Sequence, residues 1–237
     1  MQYGRHFKPG QKIFLHALPP TGDPQGCFDS LTTYLKEIGP GWFDLSLPYQ
    51  SKAGEDFPFA TGMRFELRSE SLGLGLRLTG QFVQHRGRDT IRLALDGDLR
   101  AYQNRQSPRL DTVAGVRYTR GHGSLRSFRD QWEKNIQILQ GNSADQLGNF
   151  PRTPINLSNG GIRFSLRAPV EPGSLCLLLL ELEPGTVPLC ALTEVLWTGD
   201  VQEERQKAGM RFLTILETDR KRIDNFIRKR LAAPPAV

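Results

Sequence analysis

The chain has 237 residues, of which 38% are hydrophobic and 24% are charged. This length suits one large or two small domains, and the composition excludes a chain that is disordered throughout. The formal net charge of +6 favours anionic partners but identifies none.

The sequence gives no signal for secretion or for crossing a membrane. The segment 1–6 has no apolar stretch behind a basic one, and the longest apolar run, 175–180, is far shorter than the roughly 20 residues that span a bilayer. The cysteines Cys27, Cys176 and Cys190 are odd in number and widely spaced, so they predict neither a disulfide framework nor a zinc site. We therefore predict a reduced, cytoplasmic protein without a metal.

Residues 1 to about 100 predict a series of short antiparallel strands. Apolar residues alternate with polar or smaller ones, which is the pattern of a strand with one buried face. The alternating sets run from Phe43 to Leu47, Met63 to Leu67, Leu72 to Leu78 and Ile91 to Leu95. The segment 28–38 fits either a helix or a strand, and its residues Thr32 to Tyr34 favour the strand. We predict a small antiparallel barrel or sandwich here.

The strand pattern restarts after Tyr102 and is accompanied by two helices. The first is predicted over 124–140, where apolar residues recur at helical spacing between an N-cap serine and a C-cap glycine. These apolar residues are Leu125, Phe128, Trp132, Ile136 and Leu139. A second helix is predicted from about Asp219 to Leu231. Further strands are predicted at 113–118, 162–166, 175–182, 189–197 and 210–212.

Two arginines four residues apart lie where the two β-rich halves are predicted to join. Arg105 and Arg109 flank Pro108, which argues against a regular helix there. In an extended or turning backbone both guanidinium groups can reach one ligand. The planar fork of arginine donates paired hydrogen bonds to phosphate oxygens or to O6 and N7 of guanine. On its own, such a pair is more simply a solvated linker.

A turn-forming segment, 156–161, leads into the strand at 162–166. Asn156 and Ser158 share one face of an extended backbone, whereas Leu157 points to the core. Gly160 and Gly161 permit a turn with positive φ and the close approach of a ligand. On its own, such a segment is most often a turn before a strand.

In this order, the two motifs resemble the PilZ domain. The resemblance rests on Arg-x-x-x-Arg at 105–109, Asn-x-Ser-x-x-Gly at 156–161 and Gly-x-x-Phe at 209–212 ahead of the terminal helix. Residues 1–103 resemble, more loosely, the β-barrel domain of flagellar-brake type proteins. The resemblance implies a mainly β fold of two small antiparallel β-barrels in tandem. The second barrel, a PilZ domain over 104–237, would carry an inserted helix and a C-terminal helix.

The resemblance further implies that the chain binds the bacterial second messenger cyclic di-GMP. The implied ligand-binding residues are Arg105, Arg109, Asn156, Ser158, Asn159, Gly160 and Gly161. The arginines would bind phosphates and guanines, and the asparagine and serine would hydrogen-bond a guanine edge. The glycines, which have no side chain, would leave space for the ligand. Asn156 stands where many members have an aspartate, whose carboxylate accepts more strongly from guanine N–H groups.

A protein of this kind would be a receptor that is not an enzyme and needs no cofactor. Ligand binding would change the arrangement of its two domains and act on a protein target that controls motility, surface attachment or exopolysaccharide output. Two alternatives stay open: a PilZ-like protein-interaction module that does not bind nucleotide, and a basic β-barrel that binds RNA or DNA. The wide apolar face of the 124–140 helix also leaves a homodimer open.

Overall fold

The computed structural model of the chain describes residues 3–18, 27–49, 52–71, 74–102, 108–121, 123–141 and 148–232. The chain divides into two compact units, formed mostly by residues 1–106 and mostly by residues 107–237. Antiparallel strands dominate both units, which confirms the predicted mainly β fold class. The domain boundary after residue 103 stays a prediction.

The first unit is a closed barrel of six strands. After a 3-10 turn at Tyr3–Arg5, its elements are β1 (Lys12–Ala17), β2 (Cys27–Gly39), β3 (Trp42–Ser46), α1 (Ala53–Asp56), β4 (Arg64–Ser71), β5 (Leu74–His85), β6 (Thr90–Leu95) and β7 (Arg100–Tyr102). The strands are paired in the order β1-β4-β5-β6-β3-β2, and β2 pairs back with β1 to close the ring. The short β7 pairs with β5. Of the two predicted architectures, the structure therefore has the barrel.

The core of this barrel follows from the alternation in the sequence. Phe43 and Leu45 of β3 and Ile91 of β6 are completely buried, because alternate side chains of a strand point to the same face. The ambiguous segment 28–38 is part of β2, as its β-branched and aromatic residues indicated. The strands β1 and β7 were not predicted.

The second unit is also a closed barrel of six strands. Its elements are β8 (Leu110–Arg120), α2 (Leu125–Gln140), β9 (Arg152–Ser158), β10 (Gly161–Arg167), β11 (Leu175–Glu181), β12 (Leu189–Gln202), β13 (Arg205–Leu216) and α3 (Glu217–Ala232). The pairing order is β8-β9-β10-β13-β12-β11, and β11 pairs back with β8. This barrel, with α2 between β8 and β9 and α3 at its end, matches the predicted architecture.

Both predicted helices are present. The apolar face of α2 buries Phe128, Trp132 and Ile136, and the indole Nε1 of Trp132 donates a hydrogen bond to the carbonyl oxygen of Cys190 at 3.0 Å. Helix α3 starts two residues earlier than predicted and buries Ile223 and Ile227. In the described part of the chain, no helix is both long and apolar enough to cross a bilayer.

Candidate functional site

The Asn-x-Ser motif ends strand β9 and begins a tight hairpin. Ser158 pairs with Gly161, so that Asn159 and Gly160 alone form the turn to β10. Leu157 is completely buried, whereas Asn156 and Ser158 lie on the opposite, outer face of β9. The predicted alternation at this motif is confirmed, and it directs two polar side chains to the barrel surface.

The two glycines do not have the predicted turn geometry. Neither Gly160 nor Gly161 has a positive φ. Gly161 is instead required by the close approach of β13, because a Cβ on this residue would lie 2.2 Å from the carbonyl oxygen of Met210. A Cβ on Gly160 would meet no atom within 4 Å, so this glycine does leave open space at the turn.

The turn is held against helix α3 by polar contacts. The side-chain Nδ2 of Asn159 donates to Oδ2 of Asp224 at 3.4 Å, and the backbone carbonyl oxygen of Asn159 accepts from Nε of Arg220 at the same distance. The hydroxyl of Ser158 donates to the carbonyl oxygen of Gly161 at 3.2 Å, which leaves its oxygen lone pairs available as acceptors. The position of the turn is thereby tied to the C-terminal helix.

Of the two predicted arginines, Arg109 is described and Arg105 lies outside the described residues. Arg109 is exposed and directly precedes β8. Leu110 pairs with Leu157, and the same antiparallel register continued by one residue places position 109 beside Ser158. Arg109 and Asn156 are separated by 46 residues in the sequence, yet both lie near the same end of the β8–β9 pair.

A row of polar side chains crosses the outer face of the second barrel near this end of the β8–β9 pair. Asp111, Asn156 and Arg163 are direct neighbours on β8, β9 and β10. Oδ1 of Asp111 accepts from Nδ2 of Asn156 at 2.9 Å and from a guanidinium nitrogen of Arg163 at 3.4 Å. Asp111 and Arg163 were not recognised from the sequence, because only the register between strands reveals that they flank the motif.

The row continues onto the last two strands. Arg163 is paired with Gly209, and Gly209 with Trp197, whose side chain is large and 44% exposed. Two residues further along these strands, Gly161 neighbours Arg211, and Arg211 makes a buried ion pair with Glu194 at 3.2 Å. The outer face next to the motif therefore carries arginines, an aromatic ring and hydrogen-bond acceptors, which together suit a ligand with phosphates and bases.

The described residues contain no group of three or more His, Cys, Asp or Glu side chains that could hold a metal ion. Burial raises the pKa of the Cys176 thiol to about 11 and that of Cys190 to about 12, so both thiols are protonated and unreactive near neutral pH.

The chain matches a known protein family over its second half. Residues 103–229, just over half of the chain, match the family model described as PilZ domain. The match covers the second barrel, helix α2 and most of α3. A search of curated proteins gives no match.

Several solved structures are similar to the chain at low identity. The Bacillus subtilis inhibitor of motility MotI/DgrA is 16% identical, over 95% of this chain and 98% of its own, with a TM-score of 0.37. YcgR from Escherichia coli, in complex with c-di-GMP, is 14% identical over 94% of this chain and 84% of its own, with a TM-score of 0.35. The K. pneumonia MrkH–c-di-GMP complex is 14% identical over 94% and 87%, with a TM-score of 0.32.

Proposed function

Because the chain belongs to the PilZ domain family, we propose that it is a cytoplasmic receptor for the bacterial second messenger cyclic di-GMP. The proposal is supported by the register of β8 and β9, in which Leu110 pairs with Leu157, so that one further step of the same register puts position 109 next to Ser158. One arginine of the first motif and the serine of the second would thus reach the same ligand, although they are distant in the sequence. The recognised ligand would be a dianion with two guanine bases.

Each motif residue has a role in this site. Arg105 and Arg109 bind phosphate oxygens or guanine through their guanidinium forks. Asn156 and Ser158 offer acceptor oxygens on the outer face of β9 to the N–H groups of a guanine edge.

The turn residues Asn159, Gly160 and Gly161 contribute more to the shape of the site than to direct contact with the ligand. Asn159 is held by Asp224 and Arg220, and it fixes the turn on helix α3. Gly160 leaves room above the turn, whereas Gly161 lets β13 approach β10. The ligand therefore meets a surface whose backbone is set by strand pairing, with the arginines as its charged part.

The experiment that tests this function is calorimetric titration of the full chain with cyclic di-GMP, with GTP as the control nucleotide. We expect saturable binding of cyclic di-GMP and none of GTP. The variant Arg105→Ala/Arg109→Ala should lose the binding. The matched control Arg126→Ala/Arg228→Ala removes two exposed helix arginines that belong to neither motif and should bind like the wild type.

The same titration separates the alternatives. Absence of cyclic di-GMP binding by the folded wild type would contradict the proposal and favour a nucleotide-free interaction module. An RNA- or DNA-binding barrel would bind nucleic acid with an affinity that falls steeply with salt, because it would release many counterions. A single small dianion should show a shallow salt dependence instead.

The output that we propose is a ligand-driven change in the arrangement of the two domains, which acts on a protein target of motility, surface attachment or exopolysaccharide production. A receptor that signals through its shape needs two arrangements with different affinities for the ligand. Small-angle scattering of the full chain, with and without saturating cyclic di-GMP, tests this. An identical profile in both states would contradict the rearrangement and leave the binding function untouched.

A further inference from the structure

A strip of exposed cations lies on the outer face of strands β10 and β13, outside the two ligand motifs. We propose that this cationic strip, formed by Arg167, Arg205 and Lys207, binds an acidic helix of a partner protein. The inference concerns a surface that neither motif includes, and it does not depend on the binding of cyclic di-GMP. It is carried by the register of the two strands, by the charges that this register brings together and by the spacing of the exposed side chains.

The strand register places the three cations on one face of the barrel. The buried side chains of β10 alternate with Arg167, which therefore points outward. Arg205 lies directly opposite Arg167, and Lys207 lies directly opposite Ser165, so both cations of β13 share this outer face. All three side chains are exposed, so a partner can reach them without a change in the barrel.

Arg167 and Arg205 form a cross-strand pair of like charge. Side chains that are directly opposite in an antiparallel pair have Cβ atoms about 4.5–5.5 Å apart, so like charges at these positions destabilise the sheet. In the described part of the chain, no carboxylate lies within ion-pair distance of Arg167, Arg205 or Lys207. An external anion would offset this repulsion, because the barrel itself supplies no close counter-charge.

The guanidinium group of Arg205 is already oriented for a partner. Its Nη2 donates to the carbonyl oxygen of Ser165 at 2.7 Å, which holds the long side chain across β10. The other N–H groups of the planar fork stay available to a carboxylate. Because one end of the fork is held, less side-chain entropy is lost when the other end binds.

The surroundings of the strip favour an acidic protein over a nucleic acid. Glu203 and Glu204 form the exposed turn between β12 and β13, directly before Arg205. Their carboxylates would repel a continuous phosphate backbone, whereas a protein can place single carboxylates on the cations alone. At the other end of the strip lies the exposed ring of Trp197. Tryptophan and arginine are enriched among the residues that contribute most of the binding energy in protein interfaces.

The spacing along the strip matches one face of a helix. Arg205, Lys207 and Gly209 follow one another on β13 at two-residue steps of about 6.7 Å. The Trp197 ring covers Gly209, so it marks the third step. On a helix, residues i, i+4 and i+8 share one face and are about 6 Å apart along the axis. Acidic residues at i and i+4 can therefore meet the arginine pair and Lys207, and an apolar residue at i+8 can meet the ring.

The experiment measures the binding of a model helix by fluorescence anisotropy at low ionic strength. The probe is a dye-labelled, alanine-based helical peptide with glutamate at i and i+4 and leucine at i+8. The control peptide has the same composition, but its glutamates stand at i and i+2 and do not share a face. We expect the full chain to bind the probe about threefold more tightly than the control peptide, and to bind it more weakly as salt is added.

A charge-neutralising variant tests the strip itself. Arg167→Gln/Lys207→Gln keeps Arg205 and its hydrogen bond to the backbone, and it should bind the probe about three- to thirtyfold more weakly, as expected for two exposed ion pairs. The matched control Lys221→Gln/Lys229→Gln removes two exposed cations of α3 and should bind like the wild type. Urea unfolding followed by circular dichroism checks the fold, and the strip variant should be no less stable than the wild type.

Several outcomes would overturn the inference. The wild type could bind both peptides equally or neither, or the strip variant and the α3 variant could weaken binding to the same extent. Tighter binding of a short duplex DNA than of the probe, lost in the strip variant, would assign the strip to nucleic acid instead. None of these results bears on the titration with cyclic di-GMP, so the proposed ligand binding stands or fails separately.

Discussion

The indole ring of Trp197 lies across Gly209, its neighbour on the adjacent strand, so closely that a Cβ on residue 209 would fall 2.2 Å from Nε1. The first barrel repeats this arrangement twice, with Trp42 across Gly39 and Tyr102 across Gly75. An aromatic side chain that covers a cross-strand glycine shields backbone that the glycine leaves exposed. Each ring therefore occupies the space that a side chain on the glycine would take, and this contact sets its position on the barrel surface.

The first prediction concerns this contact. Gly209→Ala places a methyl group where the Trp197 indole lies, so the ring must move or the strands must separate. We expect a loss of about 1–3 kcal/mol in the free energy of unfolding, as for other overpacked sites. Urea unfolding followed by circular dichroism measures it. Gly199→Ala in the same strand pair meets only ordinary contacts at 3.7 Å or more and serves as the control. Equal stability of both variants would contradict the prediction.

The second prediction separates the two glycines of the hairpin. Gly161→Ala drives a methyl group into the β13 backbone and should lower the free energy of unfolding by about 1–3 kcal/mol or more. Gly160→Ala enters open space without a positive φ, so the change should stay within about 0.5 kcal/mol. Urea unfolding of the two neighbouring variants provides the comparison. A larger loss for Gly160→Ala than for Gly161→Ala would show that the turn conformation matters more than the strand contact.

The third prediction concerns the buried ion pair of the second barrel. Glu194→Ala removes the carboxylate that pairs with the buried Arg211 guanidinium and should lower the free energy of unfolding by about 3–5 kcal/mol. Glu55→Ala removes one partner of an exposed pair with Lys52 and should cost less than about 1 kcal/mol. Both free energies come from urea unfolding at neutral pH. The prediction is wrong if the two variants differ by less than the error of the measurement.

The fourth prediction concerns the three thiols. Cys176 and Cys190 have pKa values raised to about 11 and 12 by burial, so neither forms a thiolate at pH 8. Cys27 is partly exposed. An aromatic disulfide reagent at pH 8 should therefore label one thiol per native chain, and three after unfolding in guanidinium chloride. Because the reactive form is the thiolate, labelling of the buried pair should stay slow as the pH rises to 9. Rapid labelling of two or three native thiols would contradict the burial of this pair.

Much of the fold could be predicted because it depends on local patterns. Apolar residues alternate within the β3 and β6 segments and recur at helical spacing within α2, so each pattern can be read from its own segment alone. The three-residue strand β7 is too short to show an alternation, and it exists through its pairing with β5. Strands of this kind are determined by tertiary contacts, which a local pattern does not contain.

The candidate site also has features that local patterns predict and features that depend on tertiary contacts. The outward direction of Asn156 and Ser158 follows from alternation alone, and it was predicted correctly. The reason for Gly161 depends on the pairing of β10 with β13, and the contact of Asp111 with Asn156 depends on the pairing of β8 with β9. These registers join segments about 45 to 50 residues apart. Only the three-dimensional structure reveals them.

The closure of the two barrels limits how a target protein can be recognised. In the described part of the chain, each of the twelve ring strands pairs with a neighbour on both sides over at least part of its length, so no ring strand has one side that is unpaired from end to end. A full-length free edge, which is what β-augmentation by an extended peptide and edge-to-edge aggregation use, is therefore not offered by these strands. We expect a target to recognise mainly side chains, so that surface substitutions are the way to map its binding surface.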